Sequence, residues 1–427
     1  MNTRTLPVLL AALLAVSAAR ADDWPQWRGP ERTEISKEKG LLKDWPRGGP
    51  QLLWTYSDAG NAYSGPAVVG NRLYTMGAED GNEVVLALDV SADVTKGTGK
   101  KVWSSKVGNF FRNNWGSGPR GTPTIDGDRL YAIGGQGELV CLNVADGKKV
   151  WSKNLKTDLG GQMMSGWGYA ESPLIDGDRL LCSPGGSKGT LAALNKKTGE
   201  VIWRSKGLTD PAAYSSIIVG EVGGIRMYIN MTREGVVGVA ADDGRFLWRS
   251  NIGTNGTAVI PTPVFHDGSV YATSGYNSGC GLVKLTADGS GGIKATKVYS
   301  NKTMTNQHGG VVLHDGHIYG YSEYKRTWIC RDFKTGEVIW SDNKFGKGSL
   351  TCVDGMLICY SERGGNVVLI EASPKGWKEH GRFKIPKESS IRSRSGGIWT
   401  HPVVANGRLY LRDQDLIFCY DIRSNGQ

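Results

Sequence analysis

No apolar run in this chain reaches the length of a membrane-spanning helix. Even the run from Leu6 to Val16 is shorter than the about 20 residues needed to cross a bilayer. Cysteine is scarce and unpatterned. There are seven, an odd number, with no Cys-x-x-Cys, no Cys-x-x-Cys-His and no adjacent pair. That spacing excludes thioredoxin-like redox chemistry and covalent c-type haem attachment. Cys352 and Cys359 flank the Asp354-Gly355 turn, where a two-residue hairpin would set Cys352 opposite Leu357 rather than Cys359, so no bridge is expected. Histidine is also rare, at six residues, and no metal-ligating set is assigned; His314 and His317 merely flank an Asp-Gly turn. Long blocks of like charge are missing too. The formal charge of +10 falls to +8 without Arg4 and Arg20, and its Lys and Arg are dispersed, which describes a solvated basic surface and no nucleic-acid partner.

Glycine, by contrast, is abundant at 61 residues, accompanied by 14 Trp and 16 Tyr, the composition of short strands joined by tight turns. One early positive charge, the Leu6–Val16 run and Ala19-Arg20-Ala21 describe a secretory signal over residues 1–21. The expectation is therefore an exported protein, periplasmic or extracellular, without a transmembrane segment. It would carry no lipid anchor, because no cysteine lies near the cleavage site.

One pattern recurs along the chain, an aromatic residue closing a short β-rich segment. It reads LLW at Trp54, KVW at Trp103 and Trp151, VIW at Trp203 and Trp340, FLW at Trp248, KVY at Tyr299 and GRF at Phe383. These sites are spaced by 41 to 52 residues, the period of a propeller blade or a solenoid repeat. Within a period four strands are legible: Thr122–Ile125, Arg129–Ile133, Glu138–Leu142 and Lys149–Trp151, separated by turns at Asp126-Gly127 and Asp146-Gly147. Asp-Gly supplies the positive φ that a tight hairpin needs. Glycines and β-branched residues at this density would break the helices of a helical solenoid. The fold class is all-β: an eight-bladed propeller of four-stranded antiparallel blades, or seven blades if the degenerate repeat at Phe383 is discounted. The strand at Gln51–Tyr56 precedes any complete blade and the last repeat lacks a Trp strand, so the first is expected to complete the last. The chain divides into residues 1–21, an N-terminal extension over 22–50, and the propeller over 51–423.

The segment Ala193-Leu-Asn-Lys-Lys-Thr-Gly-Glu-Val-Ile-Trp203 and its counterpart Cys330–Trp340 resemble the tryptophan-docking motif of PQQ-like repeat propellers, and the resemblance extends over nearly all of residues 51–423. The opening Asp23-Trp-Pro-Gln-Trp-Arg-Gly-Pro30 is similar to that of secreted planctomycete-type members. The resemblance implies structural tryptophans. It spans both quinoprotein alcohol and sugar dehydrogenases and an outer-membrane assembly lipoprotein without cofactor. PQQ and calcium are the cofactors an oxidoreductase reading would require; the methanol-dehydrogenase type carries a Cys-Cys pair that is missing here, and no cofactor is assigned from the residues themselves.

Loops leading into the innermost strands should gather at one mouth of the channel. They place Trp115, Arg120, Trp167, Tyr169, Tyr214, His308, Arg394 and Trp399 as candidate ligand- or cofactor-binding residues, with Glu171 and His401 as candidate catalytic groups. Indoles stack on a planar or sugar ring, arginine neutralises carboxylates, and a carboxylate or imidazole moves a proton. Alternatively Glu171 pairs with Arg120 and the indoles cap the channel. The function expected is a binding or interaction scaffold whose mouth takes a protein partner or a small polar, sugar-like ligand. The alternatives are a quinoprotein-type oxidoreductase and a carbohydrate-acting lyase or hydrolase using Glu171 with His401 or Tyr169.

Overall fold

The expected hairpin turns are realised in two forms: Asp126 and Asp176 end their strands opposite Arg129 and Arg179, so the turns there are Gly127-Asp128 and Gly177-Asp178. At Asp267-Gly268, Asp315-Gly316, Asp354-Gly355 and Asn406-Gly407 both central residues have positive φ, the geometry of a type I′ hairpin. A computed structural model describes residues 23–91 and 99–424. The leader expected over 1–21 lies outside the described residues. Among these, the strands form eight four-stranded antiparallel blades, an eight-bladed propeller, with Ile35–Ser36 added in parallel to the edge of one of them. Blade one spans 67–109, two 124–154, three 174–204, four 218–250, five 264–301, six 311–342 and seven 348–384. Blade eight combines three strands of 403–421 with Gln51–Tyr56 as its fourth, in the register Gln51↔Asp421, Trp54↔Cys419 and Tyr56↔Ile417. The Phe383 repeat is a full blade, whose fourth strand Glu379–Lys384 sets Phe383 opposite Val367. No described helix is long and apolar enough to cross a membrane.

The core is a series of layers between blades rather than one mass. Tyr74, Val85, Ala87 and Val107 of blade one pack on Leu130, Ala132, Val140 and Leu142 of blade two. Tyr131, Ile133 and Cys141 of blade two pack in turn on Leu180, Cys182 and Leu194 of blade three. Small residues face each repeated indole across the hairpin: Ala87↔Trp103, Cys141↔Trp151, Ala193↔Trp203, Cys330↔Trp340 and Cys419↔Trp54. All seven cysteines are buried free thiols, and Cys352 stands opposite Leu357.

In most of these pairs the register slips at the residue before the indole, so that Val102, Val150 and Ile202 have no partner of their own. Such a bulge re-aims the next side chain. The indole swings onto the following blade, where its N–H donates to a carbonyl: Trp103 to Val144, Trp151 to Lys196 and Trp340 to Ser373, at 2.9–3.1 Å. Tyr299 substitutes with its hydroxyl, donating to Phe333 at 2.9 Å.

Four of the docked rings lie on a glycine of the next blade's turn, whereas Trp340 meets the edge of Trp377 instead. A methyl group at Gly147, Gly199, Gly244 or Gly336 would approach Trp103, Trp151, Trp203 or Tyr299 to 2.4–2.7 Å, and all four glycines have φ of 71–75°. The Thr-Gly and Asp-Gly of the repeat thus serve both the turn and the seat of the neighbouring ring. Trp203 is the cleanest case, buried with no hydrogen bond to its indole nitrogen. Trp203→Ala should therefore cost about 3–5 kcal/mol through lost packing alone. Urea unfolding checks this, and a cost below about 1 kcal/mol would contradict interblade docking.

Candidate functional site

In a four-stranded antiparallel blade, the loop into the first strand and the hairpin between the second and third strands open on the same end. That end has a cavity of about 450 Å³. Its floor is supplied by the N-terminal extension, which crosses the bore and touches the innermost strand, or the residues leading into it, of every blade. Trp24 bridges Val68 of blade one, and the Pro25 carbonyl accepts from Ile125 of blade two. Arg32 donates to Ser172, Pro173 and Ile217 at blades three and four; Arg28 donates to Thr262 and Val311 at five and six. Ile35-Ser36 pairs in parallel with Cys352-Val353 of blade seven, and Glu34 meets His401 on the approach to blade eight.

This plug is held by buried charge. Both arginines are fully buried with positive φ, an uncommon backbone for a non-glycine residue. Backbone carbonyls supply most of the acceptors that make guanidinium burial tolerable. Burial lowers both, Arg32 to about 9. Glu34 lies 3.4 Å from Arg28 and 3.0 Å from His401 Nδ1, and accepts from Thr351.

Above this floor the walls are aromatic. Trp399 stacks on Tyr63 at 4.7 Å and on His308 at 4.4 Å, while its N–H donates to Glu362 at 2.8 Å. Opposing them in sequence are Trp167 and Tyr214, 6.0 Å apart, the Tyr214 hydroxyl meeting Ser165 at 2.5 Å. Arg120 lies over the rings of Tyr63 and Phe111, tied to the carbonyls of Gly116 and Gly118. Burial, reinforced by Lys347 and Arg120, holds His308 well below the usual histidine range, so its ring is neutral.

The structure brings Trp115, Arg120, Trp167, Tyr214, His308, Trp399 and His401 together around the cavity; Tyr169, Glu171 and Arg394 do not line it. Tyr169 is buried, donating to Pro184. Arg394 is exposed on the loop before blade eight. Glu171 is 2% exposed; it accepts from the Ser183 amide, and its charged neighbour is Arg32 of the plug, not Arg120. Burial raises its carboxyl to about 7. His401 has both ring nitrogens engaged, by Glu34 and by the His308 carbonyl. Glu171 with His401 or Tyr169 is therefore no free acid–base pair at the cavity.

Other lining residues were not anticipated. Trp27 and Arg28 come from the extension, Tyr63 from the approach to blade one, and Tyr276, Glu362 and Arg363 from second-to-third-strand hairpins. A signal for the last group existed in the topology, since those hairpins share the face of the approach loops.

Calcium takes six to eight oxygen ligands, commonly several carboxylates. Among the described residues the only carboxylate lining the cavity, Glu362, is held at 3.1 Å by Lys347, which also binds Glu323 at 2.8 Å and Gln307. No cluster of three or more metal-ligating side chains occurs among the described residues. These residues do not fit a calcium-dependent quinone.

Glu83 lies behind Phe111, over whose ring Arg120 sits; it is fully buried and accepts from Gly135 at 2.7 Å and Phe111 at 3.3 Å. Burial pushes its carboxyl from 4.5 up to about 7. A carboxyl raised in the folded state contributes stability below about pH 4.5 that is lost as pH rises through 7. Glu83→Gln removes that slope, so the variant should gain on the wild type by roughly 3 kcal/mol between pH 4.5 and 7.5. Parallel stability–pH curves would refute the assignment.

Comparison with known proteins agrees with this architecture. The chain is 24% identical over 398 residues to the outer membrane protein assembly factor BamB of Yersinia pestis, covering 85% of this chain and 86% of that protein. Among solved structures it superposes on BamB from Moraxella catarrhalis with a TM-score of 0.60 at 14% identity, covering 87% of this chain and all of that one. It superposes similarly on quinohemoprotein alcohol dehydrogenase from Comamonas testosteroni, with a TM-score of 0.61 at 13% identity over 96% and 82% of the two chains. Both structural likenesses show the fold alone. A family profile described as outer membrane protein assembly factor BamB matches residues 87–342, and the chain belongs to this PQQ-like repeat β-propeller family.

Proposed function

We propose that this protein is an exported interaction scaffold that engages its partner at the plugged, aromatic mouth of the propeller. The observation carrying the proposal is a blind funnel whose side chains are arranged for contact rather than for proton transfer. Its aromatic walls present flat apolar faces. Its histidines are a neutral His308 stacked on Trp399 and a His401 bonded through both nitrogens. The one carboxylate among its described lining residues, Glu362, is ion-paired with Lys347.

Trp115 and Tyr324, 58% and 59% exposed, stand on the same end. Large exposed aromatics grouped around a cavity favour recognition over solvation. The BamB relatives, named as assembly factors, are in keeping with a scaffold. An oxidoreductase reading would need acids free for calcium, and Lys347 occupies the acids at this funnel.

Photo-crosslinking in the exporting cell tests the reading. A benzoylphenylalanine replacing Trp115 or Tyr324 should give adducts of discrete mass. The same residue replacing Val102 or Ile339 on outer strands should give none. Equal adducts from both faces, or adducts from the outer strands alone, would overturn the proposal.

A further inference from the structure

The charges around the funnel are unbalanced in one direction. Arg120, in the wall, has two of its five N–H groups on backbone carbonyls, and no carboxylate within ion-pair reach among the described residues. Its neighbouring acid Glu83 is shifted toward the neutral form by burial. On the rim, Arg112, Lys325, Arg326, Arg363 and Arg394 are exposed, and none forms an ion pair with a described acid. The acids beside the cavity, Glu323 and Glu362, share the single cation Lys347, which leaves one negative charge there against the several unpaired cations named above. The same loops and hairpins expose Trp115, Tyr276, Tyr324 and Ile391, whereas the other exposed large apolar residues lie on outer strands.

We infer that the mouth recognises an acidic segment of a protein partner, with one aromatic or bulky apolar side chain seated in the funnel and its flanking carboxylates on the rim arginines. The inference rests on the scaffold reading and specifies the partner's chemistry. Complementary charge orients an encounter, and an apolar anchor in a pocket supplies the larger share of affinity. A cavity of about 450 Å³ accommodates one or two large side chains. The unpaired cations and exposed aromatics continue beyond it on neighbouring loops, a span suited to a peptide rather than a small anion. A single-stranded nucleic acid would call for a groove tracking a backbone; here the cations ring a closed hole.

Fluorescence anisotropy on the full mature chain tests this with a labelled short acidic peptide bearing one central Phe. Its competitors are an analogue with Ala for Phe, an analogue with Lys for each acid, free 2-naphthoate and oligothymidylate. The acidic Phe peptide should bind in a salt-sensitive manner, the Ala analogue about tenfold more weakly, and the basic analogue not at all. The exposed pair Arg326→Ala/Arg363→Ala should weaken the acidic peptide about tenfold, the effect of losing two rim contacts together, with an unchanged melting temperature. Arg120→Gln should weaken the acidic Phe peptide further when combined with the rim pair.

Equal binding of the basic peptide, or insensitivity to the rim pair, would overturn the inference. So would tighter binding of 2-naphthoate or oligothymidylate. Absence of acidic-peptide binding alongside specific crosslinks at positions 115 and 324 would overturn this inference and leave the scaffold standing. Loss of both would remove the scaffold reading as well.

Discussion

An indole resting on a glycine of the next blade is the contact that the rest of this molecule depends on. A blade of four short strands cannot bury both of its faces alone, and each repeat must pass one face to its neighbour. The bulge before Trp103, Trp151 or Trp203 turns the ring outward from its own sheet, and the αL glycine of the following turn leaves room for it. Closure uses the same device. Trp54, on the fourth strand of blade eight, approaches Gly99 of blade one to within 3.2 Å of a methyl placed there, and Phe383 of blade seven seats against Gly49 just before the closing strand. Ring geometry then sets the bore, and the bore sets where a ligand could go.

The extension converts that bore from a passage into a funnel. Its two buried arginines draw on carbonyls from blades three to six, and Glu34 joins His401 and Thr351 to the same segment. A guanidinium engaged by several carbonyls is costly to leave unpaired, so plug and ring hold one another in register. The side chains nearest the floor therefore have structural partners, and those free to meet a ligand lie higher: Trp115, Tyr276, Arg363 and the open side of Arg120.

Much of the fold was legible because it is written locally and eight times over. Asp-Gly and Asn-Gly announce the hairpins, the aromatic period marks the blades, and the unmatched strand at Gln51–Tyr56 foretells blade eight. The site was legible in part. Loops approaching the innermost strands placed Trp115, Arg120, Trp167, Tyr214, His308, Trp399 and His401 on the cavity. Glu171 and Tyr169 share those loops but turn into the layer between blades, and side-chain direction within an irregular loop has no sequence period. Residues 23–38 were opaque for a different reason. Their contacts reach across more than 300 positions, as between Glu34 and His401, and no repeat or turn signal predicts a pairing of that range.

The docking contact can be isolated by a double-mutant cycle on Trp151 and Gly199. Gly199 has φ of 75°, and an added methyl would meet the Trp151 ring at 2.7 Å; Gly177, with φ of 58° and nothing within 4 Å, supplies a control for backbone strain alone. If the ring requires the glycine, Gly199→Ala should cost at least about 1 kcal/mol less in the Trp151→Ala background than in the wild type. Gly177→Ala should cost the same in both. Additivity at Gly199 within about 0.5 kcal/mol would show that the turn alone requires its glycine, and would contradict the docking account.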